Sequence, residues 1–258
     1  MGVVNVTPDS FSDGGLFLAP DAAVKQGVRM VEDGADILDV GGESTRPGSD
    51  PISPDEERRR IMPVIERLAG EVDVPISADT RKAEVAADAL DAGATIVNDV
   101  TAGRDPAMFG VVRLTDAGLV LMHMKGEPKT MQRDPVYEDV VREVRDFLAA
   151  RVEAAAREGV ERDRIAIDPG LGFAKTTEHS LRCMREADAF LSVGRPVLVG
   201  PSRKSFVGHV LGTETDDRLE GTLGAVAYMA ARGAHIVRVH DVREAVRVVR
   251  VVDAILRA

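Results

Sequence analysis

Eight short runs rich in Val, Ile and Leu recur along the chain, at 3–6, 37–40, 75–78, 95–97, 119–122, 165–167, 197–199 and 235–239. They are continuously apolar instead of alternating, which is how strands read when both faces of a parallel sheet are covered. Between them lie stretches of helical periodicity, such as Val141, Val144, Leu148 and Val152 on one face and Ala245, Val249, Val252 and Leu256 on another. The pattern predicts eight strands alternating with eight helices. Gly34, Gly93, Gly118 and Gly233 stand just before the next strand, where a left-handed helix cap makes a tight turn. The strand-to-helix connections at 7–19 and 41–53 are much longer. Eight units with long loops on one rim point to an α/β fold of the (β/α)8 TIM-barrel type, a single domain over 1–258. A doubly wound open sheet is the runner-up, but no Gly-x-Gly-x-x-Gly turn follows the first strand.

Composition narrows the function classes. The 258 residues carry 43 acidic and 33 basic side chains, a net charge of −10, with 3% aromatics and no Trp. A nucleic-acid binder needs a basic footprint and aromatic platforms, so that class is disfavoured. Charge interrupts every apolar stretch before the roughly 20 residues of a membrane helix. The one cysteine, Cys183, has no internal disulfide partner, and the start shows no basic stretch leading into an apolar run. A reducing cytoplasm is the expected compartment.

In such a barrel the chemistry sits at the carboxyl ends of the strands. Polar residues close nearly every run: Asn5, Asp39, Asp79, Asn98 with Asp99, His123, Asp168, Ser202 with Arg203 and Lys204, and Arg238 with His240. Arg46, Lys204, Arg238 and His240 would make the mouth locally positive and suited to a phosphate or carboxylate. Asp79, Asp168 and the Asn98 amide offer acceptors for the ring N–H and exocyclic amine of a guanidine-like edge, and Lys204 offers donors for a carbonyl. A fused pyrimidinone has that edge. Carboxylates at a barrel mouth also suit a divalent cation, which is the competing reading. His123, His179, His209, His235 and His240 lack zinc-ligand spacing; His179, His209 and His235 read as structural, and Cys183 as a thiol without a role. No nucleophile-plus-base constellation is found. The loops at 7–15 and 41–49 have the glycines and hydrogen-bonding side chains of lids.

These residues carry a family resemblance. The opening Met1-Gly2-Val3-Val4-Asn5-Val6-Thr7-Pro8-Asp9-Ser10-Phe11-Ser12-Asp13-Gly14-Gly15 and the later Asp39-Val40-Gly41-Gly42-Glu43-Ser44-Thr45-Arg46-Pro47-Gly48 resemble two signatures of the dihydropteroate synthase family. Ser77-Ala78-Asp79-Thr80, Asn98-Asp99-Val100, Leu121-Met122-His123-Met124, the run from Asp168 to Lys175, Ser202-Arg203-Lys204-Ser205 and Arg238-Val239-His240-Asp241 follow in order. The resemblance spans the whole chain. It implies condensation of 6-hydroxymethyl-7,8-dihydropterin pyrophosphate with 4-aminobenzoate, giving 7,8-dihydropteroate and pyrophosphate. By resemblance Asp79, Asn98, Asp168, Lys204 and Arg238 would hold the pterin. Asn5, Arg238 and His240 would hold the pyrophosphate, with Asn5 also on Mg²⁺. Thr45, Arg46, Pro47, Phe173, Lys204 and Ser205 would line the aminobenzoate pocket, and Asp13 would join the closed state. Lys204, Arg238, Asp13 and Arg46 are the expected catalytic residues.

Pyrophosphate leaves readily once cations neutralise it, and the pterin ring delocalises positive charge at its exocyclic methylene. Loss of pyrophosphate before amine capture is therefore the expected order. An aniline is unprotonated at neutral pH and needs no strong base. Two competing readings are an inactive pterin-binding paralogue and a pterin-dependent methyltransferase; the first two loop signatures speak against the latter. The first strand begins at Met1 without the lead-in that relatives carry, so either the start is truncated or this member is short. Ala174 stands where many relatives have Gly, a change expected to be tolerated. The last helix sets a basic stripe, Arg243, Arg247 and Arg250, against an apolar face that would support a homodimer. No insertion follows Phe173 of the kind that excludes sulfonamides in resistant variants. Sulfonamide sensitivity is the expected outcome, and a sulfamethoxazole titration without inhibition at high excess would contradict it.

Overall fold

The computed structural model describes residues 1–7, 18–44, 48–127, 129–133 and 135–258. Strand β1 (Gly2–Asn5) precedes helix α1 (Leu18–Glu32), β2 (Leu38–Gly41) precedes α2 (Pro54–Glu71), and β3 (Ile76–Asp79) precedes α3 (Ala83–Asp91). Next come β4 (Ile96–Asp99) with α4 (Met108–Arg113), and β5 (Gly118–Met122) with α5 (Val140–Arg157). β6 (Ile165–Asp168) leads into α6 (Thr177–Arg185) and α7 (Asp188–Leu191). β7 (Leu198–Val199) leads into α8 (Ser205–Leu211) and α9 (Leu219–Ala231), and β8 (Ile236–Val237) into α10 (Val242–Arg257). The described residues thus hold ten helices where the periodicity predicts eight. α8 stops at Gly212, whose φ of 69° closes it.

Strands β1 to β6 pair consecutively and in parallel, and β7 pairs with β8. A bridge between Ile167 and Val197 joins β6 to β7, and one between Gly2 and Val239 joins β8 to β1. Val3 N–H donates to Val239 O at 3.0 Å and Val239 N–H to Met1 O at 2.9 Å. The ring of eight is therefore closed, and the open-sheet alternative falls.

Local chemistry places the helices. Ser53 accepts from Glu56 N at the start of α2, Asp139 accepts from Val141 N and Arg142 N at the start of α5, and Thr176 with His179 forms a capping box on α6. Such caps satisfy donors that a helix cannot pair itself. Gly34, Gly93 and Gly233 have the expected positive φ. Gly118 does not, because it is already the first residue of β5.

Successive strand side chains point to opposite faces. Those facing outward join the helices in two large clusters, one containing Leu119, Leu121, Leu148 and Phe190, the other Leu38, Val40, Ile61 and Leu68. Met1, Val120 and Leu198 form a small cluster with Ile37, Ile96, Ala166 and Ile236, the apolar filling of the barrel. Each fully buried Leu or Ile is worth about 1.5–3 kcal/mol. On α10, Ala245 is buried, but the expected stripe runs off the body: Leu256 is 61% exposed, with Val251 and Ile255 beside it. No helix among the described residues is long and apolar enough to cross a membrane.

Candidate functional site

Strand register gathers the polar residues. Asn5 is paired with Gly41, Gly41 with Asp79, and Asp79 with Asn98, so one row of the ring carries all four. Met122 is paired with Asp168 across β5 and β6. Asp39 does not end its strand as expected; it is the second of four residues in β2, one layer deeper, and fully buried.

Arg238, just past β8, ties this lining together. Its Nε donates to Asp39 Oδ2 at 2.5 Å and its Nη2 to Asp79 Oδ2 at 2.8 Å. Asn98 Nδ2 also donates to Asp39 Oδ2, at 3.1 Å. Asp39 Oδ1 is buried without a hydrogen-bond partner among the described residues, so its charge is incompletely met. Burial, then the nearby Asp39 carboxylate, pushes Asp79 up to about 7 against the pull of Arg238. For Arg238 burial opposes the charge, but Asp39 and Asp79 more than offset it and raise its affinity for the proton.

The β6–α6 turn builds the other wall. Asp168 Oδ1 accepts from Gly170 N at 2.7 Å, and burial raises its pKa while Lys204 works against that. Gly170 needs its hydrogen: at φ 67° an added Cβ would lie 2.1 Å from His123 O. Lys204 passes over Gly172, where an added Cβ would lie 3.0 Å from its Cδ. Its ammonium donates to Leu171 O and stands 4.2 Å from the Phe173 ring centroid. Burial brings Lys204 down to about 7, and Asp168 holds it from falling further. Lys175, buried in the same turn, donates to Phe173 O and contacts His123. Ala174 has φ 49°, a left-handed backbone that a side chain disfavours and Gly adopts readily.

His240 Nδ1 lies 2.9 Å from Ser202 Oγ, which also accepts from His240 N. Arg203 pairs with Asp241 beside it, at 2.6 Å. Ser205 stands apart from the buried cluster, exposed at the start of α8. Asp13, Thr45, Arg46 and Pro47 lie outside the described residues, as does most of the first long loop. The foot of the second is anchored: Glu43 accepts from Lys82 Nζ at 2.6 Å, Arg81 Nε at 2.9 Å and Ile52 N at 3.1 Å. A hollow of about 280 Å³ there is lined by Glu43, Ser44, Ser49, Arg81 and Glu127 among others.

Among the described residues no three His, Cys, Asp or Glu side chains converge to hold a metal. Asn5, half-buried at the end of β1, offers a hard amide oxygen, which suits Mg²⁺ taking its other ligands from phosphate and water. The remaining histidines do structural work: His179 caps α6, His209 contacts Thr177, and His235 Nδ1 accepts from Val197 N. Cys183 is buried, and burial moves its thiol up to about 11.

Two residues escaped assignment in the sequence. Asp39 was visible as a polar residue in an apolar run, but its role as the shared anion under Arg238 needed the register. Lys175 closes a quoted motif, and nothing in a sequence marks it as buried.

The family model described as pterin binding enzyme matches residues 1–240. The dihydropteroate synthase of Synechocystis sp. is 45% identical over 259 residues, covering 100% of this chain and 90% of that protein. The solved dihydropteroate synthase of Xanthomonas albilineans with 4-aminobenzoic acid is 44% identical with a TM-score of 0.95, over 100% of this chain and 93% of that one. That of Yersinia pestis in a sulfonamide drug complex is 39% identical with a TM-score of 0.95, over 100% and 94%.

The raised Asp79 has a measurable cost. The folded carboxyl keeps its proton to about pH 7, whereas an unfolded Asp releases it near pH 4, so the folded state binds more protons in that window and stability falls as pH rises through it. Asp79→Asn removes this slope: its unfolding free energy relative to the parent should improve by on the order of 1–3 kcal/mol between pH 5 and pH 7. Denaturant titrations at both pH values check it, and an unchanged difference would refute it.

Proposed function

The chain belongs to the pterin-binding enzyme family, and from that premise and the geometry of the mouth we propose how it performs the reaction of a dihydropteroate synthase. The activity is that of a transferase, condensing 6-hydroxymethyl-7,8-dihydropterin pyrophosphate with 4-aminobenzoate to 7,8-dihydropteroate and pyrophosphate. The arrangement that carries the assignment of roles is the row of Asp79 and Asn98 facing Asp168, with the Lys204 ammonium against the Phe173 ring.

Asp79, Asn98 and Asp168 present acceptors to the ring N–H and amine edge of the pterin, and Lys204 donates to its carbonyl. Arg238 serves both Asp39 and Asp79, and a guanidinium with five N–H groups retains donors for the pterin and the pyrophosphate. His240, beside it on the rim, and Asn5 complete the anion site. Asn5 would hold Mg²⁺, which when bound neutralises charge on the departing pyrophosphate. The C–O bond breaks first, its electron pair leaving on the pyrophosphate, while the pterin ring shares the positive charge. The arylamine nitrogen then forms the C–N bond and sheds one proton to water. Its lone pair is free at neutral pH, so the carboxylates can serve binding alone. Phe173 and Lys204 flank the aminobenzoate, with Ser205, Thr45, Arg46 and Pro47 as its further contacts and Asp13 closing the site. The sulfonamide complex of the Yersinia pestis relative supports the same sensitivity in this chain.

The exposed apolar side chains Val251, Ile255 and Leu256 near the end of α10 support a homodimer, since exposed apolar surface of this kind is covered in an assembled protein. A cytoplasmic setting is supported by the single unpaired Cys183.

Pyrophosphate release and dihydropteroate formation, followed with Mg²⁺, should require both substrates together. Lys204→Ala should lower kcat/KM by about 100- to 1000-fold. No turnover with pterin binding intact in calorimetry would instead favour a binding paralogue. Light scattering at micromolar concentration should give the mass of two chains, and Ile255→Asp the mass of one.

A further inference from the structure

The carbonyl of a turn residue can take its partner from water, with no side chain ordered for the purpose. Residues 171–174, in the turn between β6 and α6, do otherwise, because four consecutive carbonyls each accept from a side chain. Leu171 O accepts from Lys204 Nζ, Gly172 O from Gln132 Nε2 at 2.5 Å, Phe173 O from Lys175 Nζ at 3.2 Å and Ala174 O from Tyr137 Oη at 2.8 Å.

Two of these donors, Gln132 and Tyr137, lie on the connection between β5 and α5, far from the turn in sequence. The turn depends on outside support because its own backbone is unfavourable. Gly172 has φ 77° and Ala174 φ 49°, and a left-handed Ala persists only where its surroundings over-determine it. Phe173 stands between the two, with its N–H donating to Gly170 O at 3.1 Å. The supporting connection is itself held. The Tyr137 ring stands edge-on to His179 at 5.1 Å and has Lys125 Nζ over its face at 3.8 Å, while Lys125 pairs with Glu143 of α5 at 2.8 Å. Met131, next to Gln132, is buried with Val100, Met122, Met124 and Ala174 in the small apolar cluster against which Phe173 packs. The connection thus grips the turn by two hydrogen bonds and by packing. Between the grips stands Phe173, its ring centroid 4.2 Å from the Lys204 ammonium.

We propose that Gln132 and Tyr137 are positioning residues for the aminobenzoate: by holding the carbonyls of both neighbours of Phe173 they set the face that its ring presents beside Lys204. This rests on the placing of Phe173 in the aminobenzoate pocket. It extends the working wall of the mouth to the β5–α5 connection, which acts through Phe173.

Gln132→Met keeps the length of the side chain and removes the donor, and Tyr137→Phe keeps the ring and removes the hydroxyl. Both proteins should unfold cooperatively, as the parent does. One hydrogen bond shifts an equilibrium by roughly two- to tenfold, so each variant should raise the KM for 4-aminobenzoate about three- to tenfold. Both kcat and the KM for the dihydropterin pyrophosphate should stay within about twofold. Phe173→Ala should raise the aminobenzoate KM as well, and adding either substitution to it should change nothing further, because the ring they position is gone. A protein that no longer folds with either substitution overturns the proposal, as the bonds would then serve the fold. An unmoved aminobenzoate KM overturns it, as do an equal rise for both substrates and a full further rise on top of Phe173→Ala. Phe173→Ala with an unchanged aminobenzoate KM would remove the placing of Phe173 itself, and this proposal with it.

Discussion

Arg238 holds one guanidinium against two carboxylates that a polar barrel interior would otherwise leave to repel each other. Asp39 comes from β2 and Asp79 from β3, so the contact runs across the ring from the last strand to the second and third. Removing Arg238 would leave two buried carboxylates without their cation, which costs more than the pairs themselves contribute. Asn98 joins the same carboxylate oxygen of Asp39, and Asp79 is left poised near neutrality. The strands bring these groups into one plane, but the shared cation makes that plane electrically tolerable.

A second ionic knot does comparable work further out. Glu43 and Glu57 are nearly or fully buried, and Lys82 bridges them while Arg81 binds Glu43 from the other side. Arg81 also reaches Glu127 beyond β5. The connections following β2, β3 and β5 are thereby linked through charge. The mouth is thus framed by packed ion pairs, whereas the body below it is framed by Val, Leu and Ile.

The strands, the barrel and the placing of the candidate site residues at strand ends were legible because each depends on local pattern: an apolar run, then a polar closing residue. Asp79, Asn98 and Asp168 prove to be the last or next-to-last residues of their strands. What pattern cannot convey is depth. Asp39 lies in a similar run yet sits one layer down, because β2 continues through two more residues to Gly41. Lys175 closes the run from Asp168, and nothing in that run tells that the turn folds it inward. The additional helices α7 and α8 were also hidden, since four and seven residues are too few for a period to declare itself. The apolar stripe of α10 was visible, but periodicity does not say how much of a stripe the body can cover.

The ring is not uniform in how it is sewn. β7 and β8 are two residues long each, and single bridges attach them to β6 and β1, while the other strands share ladders of three or four register pairs. Local opening begins where few backbone hydrogen bonds must break. That quarter of the wall bears both Lys204 and Arg238, so a partial opening would carry off the cations and leave the carboxylate cradle standing. Amide exchange would then be faster along 197–199 and 236–239 than along β2 to β5, and warming would switch off chemistry before it dissolved the fold.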